Sequence, residues 1–114
     1  SQVNQIFINL ITNAAQAIDG TGTITLRTSV QEAYVKIEVE DNGCGIAEDV
    51  REHIFDAFYT TKDAGEGTGL GLSIVRDIVQ EHGGLIHAES AVGVGTKFTV
   101  LLPINQKIEQ PLAA

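Results

Sequence analysis

Apolar residues recur along the chain at two spacings, and these spacings predict helices and strands. Between residues 3 and 18 an apolar side chain returns every three or four positions, which is the spacing of one helical face. These residues are Val3, Ile6, Phe7, Leu10, Ile11, Ala14 and Ile18. The same spacing returns between residues 70 and 79 and ends at Gly83. The pattern therefore predicts two amphipathic helices, far apart in the sequence.

Four other segments alternate apolar and polar residues, as strands buried on one face do. They are residues 24–30, 35–40, 85–89 and 96–102. Two half-buried strands in succession favour an antiparallel sheet with one solvated face and helices on the other. A short helix is predicted near residue 47, followed by an irregular loop at 59–69 that lacks large apolar residues after Tyr59 and would suit a lid. The predicted fold class is an α+β two-layer sandwich.

The composition limits the kind of protein this is. The 114 residues, 43% apolar and 19% charged, are typical of one globular domain. A formal net charge of −8 would repel nucleic acids and anionic membranes, so we expect no nucleic-acid partner and no direct membrane contact. Cys44 has no second cysteine to pair with, and no signal-peptide pattern or apolar run of about 20 residues occurs, so a cytoplasmic location is expected.

Two asparagines lie beside the apolar stripe of the first predicted helix. Asn9 and Asn13 are one turn apart, next to Ile6, where the core would meet a cleft. Amide oxygens at such a place can bind Mg²⁺, which prefers oxygen ligands and bridges to substrate phosphates. The alternative is that both are ordinary boundary residues, and for an asparagine pair taken alone that interpretation is the commoner one.

A turn-rich segment follows the second predicted strand. Asp41 ends the strand and precedes Asn42-Gly43-Cys44-Gly45, where glycines allow unusual backbone angles and close approach of a ligand. A carboxylate at a strand end can accept a hydrogen bond from the amine of adenine, whereas guanine would present a carbonyl oxygen to it. Asn-Gly is also the commonest signal for a hairpin turn, and this segment taken alone favours the turn.

Glycines alternate directly before the second amphipathic helix, at Gly65, Gly67, Gly69 and Gly71. The unpaired amides and positive dipole end of that helix suit a phosphate. The run is neither of the two commonest phosphate loops, because Leu72 replaces the third glycine of Gly-x-Gly-x-x-Gly and no Gly-Lys-Ser/Thr follows. A flexible hinge explains the glycines equally well. Lys62, in the preceding loop, could reach a terminal phosphate, but for a loop lysine taken alone a solvated side chain is the commoner interpretation.

Taken together and in this order, the motifs resemble the ATP-binding domain of sensor histidine kinases, within the superfamily of gyrase, Hsp90 and MutL ATPases. Residues 9–14 are similar to its N box, 41–46 to its first glycine box, 54–58 to its F box and 67–72 to its second glycine box. Residues 93–98 match its late Gly-x-Gly-Thr strand, so the resemblance covers nearly the whole chain. It implies a Bergerat-type sandwich with a mixed, mostly antiparallel sheet covered by helices on one face.

The resemblance also implies Mg²⁺ and ATP as cofactors and assigns a role to each matching position. Asn13 would bind the metal, Asn9 would lie near the metal and phosphates, and Lys62 would hold the phosphates. Asp41 would accept the adenine amine, with a supporting contact from Thr96. The other implied nucleotide-binding residues are Gly43, Gly45, Ile46, Gly67, Thr68, Gly69, Leu70, Gly71 and Leu72. Gln16 and the run Phe-Tyr-Thr-Thr-Lys at 58–62 are most similar to the nitrogen-regulation type of sensor kinase.

The implied activity is that of a protein histidine kinase. Such a domain donates the γ-phosphate to a histidine on a separate helical dimerisation and phosphoacceptor domain, and the phosphate then passes to a response regulator. The isolated chain is expected to bind ATP without autophosphorylating. The alternatives are an ATP-hydrolysing enzyme of the same fold and a nucleotide-sensing binding module. Hydrolysis is disfavoured because Asn9 stands where such enzymes carry a glutamate base, and an amide cannot activate water.

The expected domain comprises residues 1–104, truncated at its N-terminus, and residues 105–114 are expected to form a frayed tail. Domains of the resembled family usually begin with a strand upstream of the N box. This sequence does not include that strand, so we expect the sheet either to have an open edge or to be completed by another chain.

Overall fold

A computed structural model describes residues 2–56 and 71–104. The elements are α1 (Gln2–Ala17), β1 (Ile24–Gln31), β2 (Tyr34–Asp41), α2 (Glu48–Arg51), α3 (Gly71–Glu81), β3 (Leu85–Ala91) and β4 (Gly95–Pro103). The order and type of the predicted helices and strands are therefore confirmed. The predicted lid at 59–69 and the predicted tail at 105–114 lie outside the described residues.

The four strands form one sheet in the order β1-β2-β4-β3, and every pairing among these described strands is antiparallel. The register places Asp41 of β2 opposite Thr96 of β4, and Thr96 opposite Ser90 of β3. Because directly paired residues point to the same face of a sheet, these three side chains form a row across three strands.

The two long helices pack side by side on one face of the sheet. Both contribute a buried apolar stripe to a single core: Ile6, Leu10 and Ala14 from α1, and Val75, Ile78 and Val79 from α3. The sheet contributes Ile37 and Val39 from β2 and Phe98 and Val100 from β4. The helices run antiparallel, since Gln2 at the start of α1 donates a hydrogen bond to Glu81 at the end of α3, at 3.4 Å. The predicted two-layer sandwich is confirmed.

The prediction of a half-buried first strand is wrong for β1. Leu26 and Val30 occupy the helix-bearing face, opposite Val39 and Val35, yet they are 44% and 71% exposed. Among the described residues β1 pairs only with β2, at the edge of the sheet. An alternating pattern identifies which side chains share a face, but it does not say whether a helix covers that face. In the described part of the chain, β1 is therefore an edge strand, and no helix covers its apolar face.

The opposite face of the sheet is polar, and neither α1 nor α3 packs on it. Lys97 lies 3.6 Å from Glu38, and Arg27 donates a hydrogen bond to Glu40 at 2.9 Å. The contact with Glu40 raises the pKa of the Arg27 guanidinium. None of the helices in residues 2–56 and 71–104 is long and apolar enough to cross a membrane.

Candidate functional site

Buried polar side chains gather at one end of the helix-bearing face. Asp41 is 5% exposed and Thr96 is 3% exposed, and the register makes them direct neighbours. Most core positions of the described strands are apolar, and burying a polar group costs free energy unless it is hydrogen-bonded. A buried carboxylate beside a buried hydroxyl therefore marks this end of the sheet as a candidate binding site.

Asp41 is held in a defined orientation by the glycine box that follows it. The backbone N–H of Gly43 donates a hydrogen bond to Oδ1 of Asp41 at 2.8 Å. Asn42 points away, and its side-chain oxygen accepts a hydrogen bond from the N–H of Thr23 at 2.8 Å. The hairpin alternative does not hold, because the chain continues from Asn42 to α2 rather than to a strand paired with β2.

The first glycine box is packed tightly between α1 and the end of β3. The N–H of Cys44 donates to the carbonyl oxygen of Ala17, the last residue of α1, at 3.0 Å. A Cβ atom on Gly43 would collide with this same carbonyl, and one on Gly45 would collide with the carbonyl of Ala91. Gly45 also has a φ of +77°, which side chains rarely adopt. Neighbouring backbone thus requires glycine at both positions.

The N box on α1 contacts the first residue of α3, which belongs to the second glycine box. Asn9 Nδ2 donates a hydrogen bond to the carbonyl oxygen of Gly71 at 3.3 Å, although the two residues are 62 positions apart. Asn9 and Asn13 are both half-buried, and the contact with Gly71 places Asn9 on the side of α1 that faces α3. Asn9 thus lies at the border of the buried core, and its place in a binding cleft stays a prediction. Gly71 is the first residue of α3, and a Cβ there would have no described atom within 4 Å.

The remaining predicted site residues fall into two groups. Ile46 and Leu72 are half-buried and pack against the hydrophobic core, so both contribute to the packing of the fold. Five predicted phosphate-loop positions lie outside the described residues: Lys62, Gly67, Thr68, Gly69 and Leu70. Their roles stay predictions.

Ser90 is a residue of this region that the sequence motifs did not identify. Its hydroxyl accepts the N–H of Ile46 at 2.7 Å and lies 2.8 Å from the hydroxyl of Thr96. The signal was present in the strand pattern, because Ser90 shares a face with Ile86 and Ala88 and is the polar member of that apolar series. A polar residue among core-facing apolar residues indicates a candidate site residue once its neighbours in the sheet are known.

A recess of about 610 Å³ opens at the same end of the sheet, and residues of both faces line it. Asp41, Ser90 and Thr96 belong to the buried row, whereas Glu40 and Lys97 alternate with that row and point away from the helices. We assign the candidate site to the helix-bearing side of this end. The buried carboxylate, the Thr96 hydroxyl and the contact between α1 and α3 are all on that side.

This fold, with its N box beside a glycine-initiated helix, belongs to a known family. The family model for histidine kinase-, DNA gyrase B-, and HSP90-like ATPases matches residues 1–106, and the chain is a member of this family. It is 46% identical over 110 residues to sensor histidine kinase ZraS of Escherichia coli K12, covering 96% of this chain and 23% of that protein. It is 46% identical over 117 residues to sensor kinase CckA of Brucella abortus, covering 90% of this chain and 12% of that protein. The chain thus spans a quarter or less of the length of these relatives.

Solved structures of histidine kinases share the fold. The nucleotide-free catalytic domain of histidine kinase ThkA superposes with a TM-score of 0.78 at 38% identity, covering 90% of this chain and 66% of that chain. Full-length ShkA in complex with AMPPNP gives a TM-score of 0.80 at 33% identity, covering 90% of this chain and 21% of that chain. The predicted sensor histidine kinase ATPase domain of Bergerat type is confirmed. The nitrogen-regulation subtype stays a prediction.

Proposed function

We propose that the chain binds Mg-ATP at the Asp41 end of the helix-bearing face and positions the γ-phosphate for transfer to a histidine on a separate domain. The observation that carries this proposal is the meeting of motifs that are distant in sequence. Asn9 of the N box contacts Gly71 at the start of α3, and Asp41 lies beside Thr96. Adenine, phosphate and metal functions are thereby assigned to one connected region.

The environment of Asp41 suits an adenine amine. A carboxylate has about four acceptor positions, and the N–H of Gly43 uses one of them. Since the side chain is buried, each further hydrogen bond to it is worth more than one made in water. The exocyclic amine of adenine donates, while the corresponding oxygen of guanine accepts and would be repelled. We therefore assign Asp41, which the N–H of Gly43 orients, to adenine selection, and we assign Gly43, Gly45 and Ile46 to the same nucleotide site.

The interface between α1 and α3 suits phosphates and a hard cation. The first amides of α3 have no partners within the helix, and its positive dipole end favours an anion. Asn9 contacts the start of α3, Asn13 is half-buried one turn further along α1, and we assign Asn13 as metal ligand with Asn9 beside it. When bound, Mg²⁺ would neutralise charge on the phosphates. Lys62 and residues 67–72 complete the proposed phosphate site.

The proposed partners are the helical dimerisation and phosphoacceptor domain of the parent kinase and a downstream response regulator. Phosphoryl transfer needs positioning and charge neutralisation more than covalent chemistry from the protein, so this chain supplies one half of the reaction. We place the parent's catalytic region in the cytoplasm. An ATP-hydrolysing enzyme and a nucleotide-sensing module are the competing proposals.

The test combines binding with transfer in trans. We expect calorimetric titration to give binding of ATP and ADP with magnesium and much weaker binding of GTP. We also expect radiolabel from γ-labelled ATP to appear on the helical domain of the parent kinase only when this chain is present. A helical domain with glutamine in place of its acceptor histidine is the control. Rapid phosphate release by the chain alone would favour the hydrolase, and binding without transfer would favour the sensing module.

The two glycine boxes give opposite predictions for an added methyl group. Gly45→Ala should destabilise the fold by about 1–3 kcal/mol, because of its positive φ and the collision with the Ala91 carbonyl. Gly71→Ala should leave stability within about 1 kcal/mol, since alanine favours helices and no described atom lies within 4 Å of the added Cβ. It should nonetheless weaken ATP binding if phosphates approach α3 closely. Thermal unfolding and ATP titration of both variants measure this; unchanged ATP affinity in Gly71→Ala would remove Gly71 from the site.

A further inference from the structure

Ser90 is the centre of a hydrogen-bond cluster that joins three segments of the chain. Its hydroxyl oxygen lies 2.7 Å from the backbone nitrogen of Ile46, 3.0 Å from the carbonyl oxygen of Gly95 and 2.8 Å from the hydroxyl of Thr96. Ile46 belongs to the first glycine box, and Gly95 and Thr96 begin β4. The cluster thus connects the glycine box to the strand that carries Thr96.

The direction of each hydrogen bond follows from counting protons. The N–H of Ile46 can only donate, so Ser90 accepts there, and the Gly95 carbonyl can only accept, so Ser90 donates there. A serine hydroxyl has one proton, which is now used. The third contact is a hydrogen bond only if Thr96 donates its proton to Ser90. This is the one arrangement in which all three contacts are hydrogen bonds at once.

A Thr96 hydroxyl committed in this way can only accept a hydrogen bond from a ligand. Its neighbour in the row is the Asp41 carboxylate, which is also an acceptor. Two adjacent acceptors suit an amine with two hydrogens, and both oppose a carbonyl oxygen. A Thr96 hydroxyl that was free to rotate would instead donate to such an oxygen and reduce the discrimination.

From this geometry we propose that Ser90 is a positioning residue for base selectivity, because it fixes the Thr96 hydroxyl as an acceptor beside Asp41. Ser90 itself does not touch the nucleotide. The inference rests on the proposed function, since it requires a purine base next to Thr96. It adds a specificity-determining residue on β3, outside every motif of the sequence.

The test compares bases that differ at the amine. Dissociation constants with magnesium are measured for ATP, GTP and purine riboside triphosphate, which lacks the amine. We expect Ser90→Ala to reduce the preference for ATP over the other two by about tenfold, the size of one buried hydrogen bond. Ser90→Thr keeps a hydroxyl and should retain the preference. In a Thr96→Val background, Ser90→Ala should change the preference no further.

A purely structural role would give a different result. Ser90→Ala would then weaken all three nucleotides equally, and this outcome would overturn the inference, as would an unchanged ATP preference. Ser90→Cys, which fills a similar volume with weaker hydrogen bonds, should show part of the loss and serves if Ser90→Ala does not fold. Failure of the wild-type chain to bind ATP would reject the proposed function. ATP binding that depends on Asp41 but is equally selective in the Ser90 variants would reject only the role of Ser90.

Discussion

Asp41→Asn is expected to weaken ATP binding by about 100-fold and to remove the preference for ATP over GTP. The substitution keeps the shape of the side chain but replaces one acceptor oxygen by a donor NH₂. Because the N–H of Gly43 already holds Oδ1, the new NH₂ would point at the adenine amine, and two donors would face each other in a buried place. A charged hydrogen bond exchanged for such a mismatch costs about 3 kcal/mol, which corresponds to the 100-fold loss.

Glu40→Gln is the matched control for this experiment. Glu40 precedes Asp41 and undergoes the same change of charge, but it lies on the open face, where it pairs with Arg27. Titration of both variants with ATP, ADP and GTP, together with thermal unfolding, separates loss of the pocket from loss of the fold. We expect Glu40→Gln to bind all three nucleotides as the wild type does. A folded Asp41→Asn chain that still prefers ATP would show that adenine is recognised elsewhere.

The sequence predicted those features that depend on local periodicity. Helical and alternating spacings gave the two long helices and the four strands in their correct order, and most of these elements have one face in a common core. The position of Asp41 at the end of β2 followed in the same way. The uncovered face of β1 could not be predicted, since Leu26 and Val30 fit the strand pattern regardless of whether α1 extends over them.

Cross-strand neighbours were the other feature that the sequence left undetermined. Ser90 became significant only when the register placed it opposite Thr96, six residues away along the chain. The same holds for Gly45, whose need for a positive φ is local, while its collision with Ala91 depends on how the hairpin of β3 and β4 packs. Motifs therefore identified which residues carry chemistry, and the register identified which residues orient them.

The two glycine boxes differ in what surrounds their glycines. In the first, neighbouring backbone atoms lie so close to Gly43 and Gly45 that a Cβ atom would collide with them. Substitution of either glycine should therefore act on stability and on ligand binding together. In the second, Gly71 borders open space in the described structure and contacts Asn9 through its carbonyl oxygen. An effect on nucleotide affinity without an effect on stability is therefore a property to expect at Gly71 and not at Gly45.

Asn13→Ala is expected to lower phosphoryl transfer to the helical domain by about 1,000-fold or more. In the proposed function, a metal ion held by Asn13 would neutralise charge developing on the phosphates, and loss of this ligand would displace or remove the ion. Binding of ADP without magnesium should change by only a few fold, since the base contacts at Asp41 remain. The measurements are radiolabel transfer across a range of magnesium concentrations and ADP titration with and without the metal.

Asn4→Ala is the control, because Asn4 is exposed and lies nine residues before Asn13, which places it on the opposite side of α1. We expect this variant to transfer phosphate as the wild type does. Partial rescue of Asn13→Ala by high magnesium would locate the defect at the metal, since a weakened site fills again by mass action. If the variant instead loses metal-free ADP binding to the same extent as transfer, Asn13 supports the fold of the pocket, and the metal ligand must be sought on another element.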